Sequence, residues 1–251
     1  MILDTRYLIL KISNLKKMDF ILDNQETEKK FQQILMLVKS RKSGEVADLM
    51  KQKGISYKMN WGVSIIDLRE IAKQFEPDHL LALKLWNKQW RETMILATLL
   101  DEPKKVTEEQ IDFWTKSFEN TEIAEQASAN LWVKTKFAFV KAMEWCRGKK
   151  HIVRFTGLHL IGRMALTDKS AIDEMFEPFF EELPTLAKDG ALNTAFYRTV
   201  IALGTRSKYL NGQTIELART LQLGESENAV KLGEELFEEL TSSYVQDGLE
   251  K

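Results

Sequence analysis

The side chains most able to do chemistry in this sequence are cations gathered in one stretch. Between Lys134 and Arg163 stand eight basic residues (Lys134, Lys136, Lys141, Arg147, Lys149, Lys150, Arg154 and Arg163) and one acid, Glu144. Residues 1–133 carry 20 basic and 20 acidic side chains, and residues 164–251 carry eight basic against sixteen acidic. A net charge of −1 therefore conceals a middle segment at +7 and a C-terminal third at −8. The overall balance argues against a generally basic nucleic-acid binder, but the local excess suits phosphate groups. Any charge run also has a plainer reading as a solvated helix face, and composition leaves both open.

Other chemistries find little support. The sequence has no phosphate-binding glycine loop, nucleophile elbow, paired metal ligands or zinc-binding His-Glu helix. One cysteine, Cys146, excludes an intrachain disulfide and suits a reducing, cytoplasmic setting; three scattered histidines leave no zinc cluster. No cofactor or metal is expected. His151 and His159 lie on an apolar helix and read as core histidines. Among the six tryptophans, Trp86, Trp90 and Trp145 read as packing, whereas Trp61, Trp114 and Trp132 flank turns or helix ends and are candidates for a surface groove.

The elements that must position these groups are helices. With 44% hydrophobic residues, four prolines and twelve glycines in 251 residues, the chain is a globular, all-α protein by composition. Phe31, Ile34, Leu35 and Val38 recur at helical spacing, and Ser43 opens a short second helix. Gly54 and Gly62 bracket a break; Ser64 then caps a helix with Asp67 three residues on. Leu80–Asn87 and the nearly all-apolar Trp90–Leu100 follow, then a turn with Pro103 and a capping pair, Thr107 and Gln110. Asn120 caps a helix to about Val133. Phe137–Cys146 and Ile152–Leu166 are the densest apolar helices, joined by the basic turn Arg147–Lys150.

Ser170 with Asp173 predicts an amphipathic helix that Pro178 kinks and Pro184 distorts; Ala191–Leu203, Thr214–Leu223 and Asn228–Val245 complete the series. Successive helices of about 10–16 residues, joined by short turns, suggest stacked antiparallel pairs without a strict period, with a multi-helix bundle as the alternative. The apolar run Tyr7–Leu10 is broken by Lys11 and Lys16-Lys17 and lacks a cleavage site, so it reads as neither signal peptide nor membrane span. Residues 1–17 are expected to be an N-terminal extension and 18–251 a single helical domain.

Four segments carry a family resemblance: WGVSIIDLREIAK from Trp61, RETMILATLLDEPKKVTEEQIDFW from Arg91, SFENTEIAEQ from Ser117 and KKHIVRFTGLHL from Lys149. In this order the chain resembles the AlkD-like DNA alkylation repair proteins, over roughly Glu26 to Leu240. The resemblance implies a solenoid of HEAT-like helical pairs and an N-glycosylase that removes alkylated purines from duplex DNA held in a positive groove. An alkylated purine is already cationic, so the enzyme needs chiefly a carboxylate to stabilise the oxocarbenium-like sugar and position water. Lysines and arginines on phosphates supply most of the affinity.

Carried onto this sequence, the family's tryptophan-aspartate-x-x-aspartate segment becomes Thr121-Glu122-Ile123-Ala124-Glu125. Glu125 stands where the catalytic aspartate is expected, Thr121 where an aromatic is expected, and Ala202 near a second family tryptophan. Arg154 meets the arginine of the basic helix. The resemblance thus implies Glu125 as the catalytic carboxylate, Arg154 as a phosphate clamp, and Lys149, Lys150, Lys134 and Lys136 as further DNA contacts. Partners expected are duplex DNA, alkylated or structurally unusual, and no membrane. The rival expectation is a catalytically inactive HEAT-like module that binds DNA structures or a protein partner, consistent with the near-zero net charge and missing aromatics.

Overall fold

The computed structural model describes residues 25–250, so the expectation for residues 1–17 lies outside the described residues. All regular elements among them are helical. In chain order they are α1 (Gln25–Ser40), α2 (Gly44–Gln52), α3 (Ile65–Ala72), α4 (His79–Asn87), α5 (Arg91–Leu100), α6 (Glu108–Lys116), α7 (Thr121–Asn130), α8 (Ala138–Cys146), α9 (His151–Thr167), α10 (Leu183–Leu186), α11 (Asn193–Gly204), α12 (Lys208–Gln222), α13 (Glu227–Thr241) and α14 (Ser243–Leu249). Three 3-10 turns, Trp132–Lys134, Asp173–Glu181 and Gly190–Leu192, fall between them.

Helices α3, α5, α7, α9, α11 and α13 pack side by side in succession and form one layer. The second layer backs it: α4 lies on α5, α8 on α9, and α12 on α11 and α13. The expected all-α architecture of stacked antiparallel pairs is what the chain adopts. No helix among the described residues is long and apolar enough to cross a membrane.

Local sequence sets the helix starts. The side chains of Ser43, Ser64, Thr107 and Asn120 each accept a hydrogen bond from the backbone N–H three residues on, supplying a partner that the helix itself cannot. Helix α5, apolar nearly all round, is buried at nine of its ten residues. It also carries two buried charges, Arg91 and Glu92. The Glu92 carboxylate accepts from the N–H groups of Trp61 and Val63, and Arg91 donates to the Val63 carbonyl and to both oxygens of Glu122. Tyr57 donates to Glu122 as well. Together these bonds hold the loop before α3 against α5 and α7. Gly62 in that loop has φ +69°, and a Cβ there would lie 2.0 Å from the Ser43 carbonyl oxygen, so the position accepts only glycine.

Three tryptophans form the middle of the core. The rings of Trp86 and Trp114 stack with centroids 3.9 Å apart and planes 2° from parallel, and Trp132 tilts against Trp114 at 5.6 Å. Trp114 is 2% and Trp132 0% exposed, which corrects the expectation that they line a surface groove. Flanking a turn put them at helix ends, but between the two layers those ends are interior. Trp61 stays partly exposed and packs on Trp90 at 5.3 Å.

The stretch after α9 departs most from expectation. Ser170 does not cap an α-helix: its hydroxyl and N–H both bond Asp168, and Asp173–Glu181 winds as a 3-10 helix. Pro178 inside it has no N–H to donate, and in an α-helix its ring would also clash with the carbonyl of Glu174, four residues back. Pro184 sits in the first turn of α10, where a missing donor costs nothing. The helix expected to run to Val133 ends at Asn130, α12 begins at Lys208 behind a Ser207 cap rather than at Thr214, and the last expected helix divides at Ser242.

Candidate nucleic-acid interface

The eight cations of the middle segment separate once folded. Lys141 is 2% exposed, and its ammonium lies 2.8 Å from Glu108, 3.2 Å from Asp112 and 2.7 Å from Glu144. Burial works against its charge, but the hydrogen bonds to these carboxylates outweigh that and raise its pKa. Arg147 pairs with Glu182 at 2.6 Å, and Arg154 with Asp189 at 2.8 Å. These three hold helices together.

Lys134, Lys136, Lys149, Lys150 and Arg163 make no ion pair. Lys149 and Lys150 are exposed in the turn that enters α9. Lys134 and Lys136 are exposed beyond the other end of that helix, where they line a cleft of about 810 Å³ with Lys104, Arg163 and Asp168. Helix α9 spans 17 residues, or roughly 25 Å at about 1.5 Å per residue, so the unpaired cations form two groups at its two ends.

Glu125 lies half-buried on α7, one turn after the exposed Thr121, with no hydrogen bond or ion pair. Burial pushes its carboxyl above the usual range; the Arg198 guanidinium opposes that, and Glu122 adds to it. The neighbouring Glu122 is already committed to Arg91 and Tyr57, so Glu125 is the carboxylate of this pair left without a partner.

Arg198, on α11, was not legible in the charge pattern because it lies in the acidic third of the chain. It is exposed and makes no ion pair. With His159, Arg163, Leu166, Tyr197 and Ala202 it lines a cleft of about 370 Å³ between α9 and α11. His159 stacks on Phe155 with ring planes 2° apart. Burial, then Arg163 and Arg198, lower its pKa to about 4, so it is neutral at neutral pH. The Nε of Arg163 is buried without a partner.

Beyond α11 the sign of the charge reverses. Tyr197 has its pKa raised by burial and by Glu239, Glu235 and Glu238 of α13. The positive surface is therefore bounded on one side by an acidic helix. Among the described residues no group of three or more His, Cys, Asp or Glu side chains is placed to hold a metal ion.

The Arg198 charge thus favours ionised Glu125, and Ala202 lines the α9–α11 cleft with Arg198. Lys134 and Lys136 share a cleft with Arg163, while Lys149 and Lys150 stand apart at the α8–α9 turn and Arg154 is held by Asp189. Such an arrangement offers unpaired cations for phosphates and one unengaged carboxylate to oppose a developing positive charge.

Comparison with known proteins bears on this arrangement. No curated protein matches the chain by sequence. A solved structure, described as a new family of proteins related to the HEAT-like repeat DNA glycosylases with affinity for branched DNA structures, superposes with a TM-score of 0.67. It is 14% identical and covers 83% of this chain and 94% of its own, a likeness of fold. The sequence profile of the DNA alkylation repair enzymes matches residues 21–160. That match takes in more than half of the 251 residues, including the whole of α7 and most of the basic segment, and the chain belongs to the DNA alkylation repair enzyme family.

Proposed function

We propose that this protein binds DNA through the α7–α9–α11 face, with backbone phosphates on Lys134, Lys136, Lys149, Lys150, Arg163 and Arg198, and that Glu125 is the carboxylate of an N-glycosylase for alkylated purines. Arg154 serves as a weaker contact because Asp189 already holds it. The observation that carries the reading is Glu125, a half-buried carboxylate on α7 without a hydrogen bond or ion pair whose ionisation the Arg198 charge favours, together with unpaired cations at both ends of α9.

In this chemistry the bond from C1′ to N9 of the alkylated, cationic purine breaks, and the base leaves with the electron pair, becomes neutral and keeps its alkyl group. The sugar becomes cationic, ionised Glu125 stabilises it, and water adds at C1′ with its proton passing to the carboxylate or to solvent. A glutamate reaches one methylene further than an aspartate, which moves the negative charge outward from α7.

A second reading is favoured by Thr121 and Ala202, which leave the site without the aromatics that the resemblance implies. On this reading the protein recognises damaged or branched DNA without releasing a base, in keeping with the affinity described for the structural neighbour.

Mass-spectrometric detection of free bases from methylated duplex DNA separates the two, comparing the wild-type chain with Glu125→Gln. Release that the variant loses supports the glycosylase. Absence of release with binding intact leaves DNA recognition alone. If neither release nor binding is seen, or if the binding that is seen does not weaken with rising salt as phosphate contacts require, the face binds a protein instead.

A further inference from the structure

We propose that the cleft between α9 and α11 is a nucleotide site: it takes one unpaired nucleotide, phosphate between Arg163 and Arg198, base against Tyr197, Leu166 and Ile201. The inference rests on the DNA-binding reading and goes beyond it by naming what the protein recognises.

Charge is the first argument. Arg163 and Arg198 approach from different helices, carry no carboxylate partner, and both act on the same imidazole, His159. Because both line the one cleft, an anion seated there can accept from two guanidiniums at once. The Arg163 Nε, buried and without an acceptor, is a further donor still to be satisfied. A phosphodiester supplies both the charge and the acceptor oxygens.

The second argument is size and surface. At about 370 Å³ the cleft has the dimensions of a small-ligand site, and a duplex is far too wide to enter it. Its floor is apolar: Leu166 is 49% exposed, and Ile201 and Ala202 lie beside it, with the Tyr197 ring at one wall. An exposed leucine next to an unpaired tyrosine ring is a poor surface for water and a good one for the face of a base. His159, neutral, has one donor and one acceptor to offer a base edge.

An unpaired nucleotide has two sources: a base left unpaired at a bulge or branch, or one extruded from an intact duplex. The test places 5-iododeoxyuridine either in a single-nucleotide bulge or in a fully paired duplex and maps photo-cross-links by mass spectrometry, with DNA affinity measured on the same samples. The expected adduct lies on Tyr197 or His159. Its formation with the bulge alone identifies a pre-existing unpaired base; formation with both identifies extrusion.

Leu166→Trp, at a half-exposed position that accepts a larger ring, is expected to reduce the adduct about tenfold while affinity for the unbroken duplex stays within about twofold. Arg163→Ala with Arg198→Ala is expected to weaken bulge binding at least about tenfold. Cross-links that map elsewhere, or that Leu166→Trp leaves unchanged, overturn the nucleotide site while DNA binding stands. Loss of all DNA binding in the wild-type chain overturns both.

Discussion

Arg154 of α9 and Asp189, in the turn before α11, form an ion pair with Nη2 and Oδ2 2.8 Å apart. The arginine that the family pattern selects is thereby neutralised by a residue one helical pair further along. Asp189 also accepts from the Ala191 N–H, a role asparagine retains. Asp189→Asn is therefore expected to free Arg154, raise DNA affinity about two- to fivefold at low salt and steepen the salt dependence by about 0.9 for the one added phosphate contact. Titration of labelled duplex at several salt concentrations measures both.

The three-tryptophan core predicts a purely structural variant. Trp114→Ala removes a ring stacked on Trp86 and packed against Trp132. A loss of about 3–5 kcal/mol is expected, read from urea denaturation. DNA affinity of the molecules that remain folded should not change.

Lys141 makes the opposite case to its basic neighbours. Replacing it by Met leaves Glu108, Asp112 and Glu144 repelling one another around an apolar side chain. Stability is expected to fall on the order of 2 kcal/mol with DNA affinity within about twofold of wild type. Lys149→Glu with Lys150→Glu should do the reverse: unchanged denaturation, and DNA affinity lower by at least about tenfold. Equal effects of the two variants on binding would remove the distinction between buried and free cations.

His159 predicts acid sensitivity. Its folded-state pKa, about 4, lies below the ordinary 6.5. Between these values the unfolded chain binds the extra proton, so stability falls as pH drops from about 6.5 and levels off below about 4. At about 1.4 kcal/mol for each pH unit between the two states, the whole loss is on the order of 3 kcal/mol. Glu125, whose carboxyl is raised, acts in the other direction, losing stability as pH rises. His159→Gln should flatten the acid limb of the denaturation midpoint against pH and leave the neutral value nearly unchanged.

Most helices could be read from the sequence because their causes are local. The caps at Ser43, Ser64, Thr107 and Asn120 need only the next turn, and the all-round apolarity of α5 announces its burial. Asp173–Glu181 was misread because apolar residues three apart fit a 3-10 and an α-helical period equally well over nine residues, and Pro178 decides for the former. The site was less legible for a different reason. Lys141, Arg147 and Arg154 find their acids on neighbouring helical pairs, at Glu108, Glu182 and Asp189, which no local pattern reveals. Arg198 was invisible to a charge count because it stands alone among uncharged residues in the acidic third of the chain, while in the fold it lines a cleft with His159 and Arg163 and its charge acts on Glu125.

Beneath the cleft, Gly162 of α9 faces Thr199 of α11 so closely that a Cβ on the glycine would lie 3.3 Å from the threonine Oγ1 and 3.4 Å from its Cα. Arg163 and Arg198 are the next residues along from that contact. The approach of α9 to α11 at the floor of the cleft is therefore set by this contact between a glycine and a threonine. An alanine at position 162 would act as a shim, pushing the two helices apart by a few tenths of an ångström beneath the charged pair, so the width of the cleft can be changed at a position that carries neither charge nor side chain.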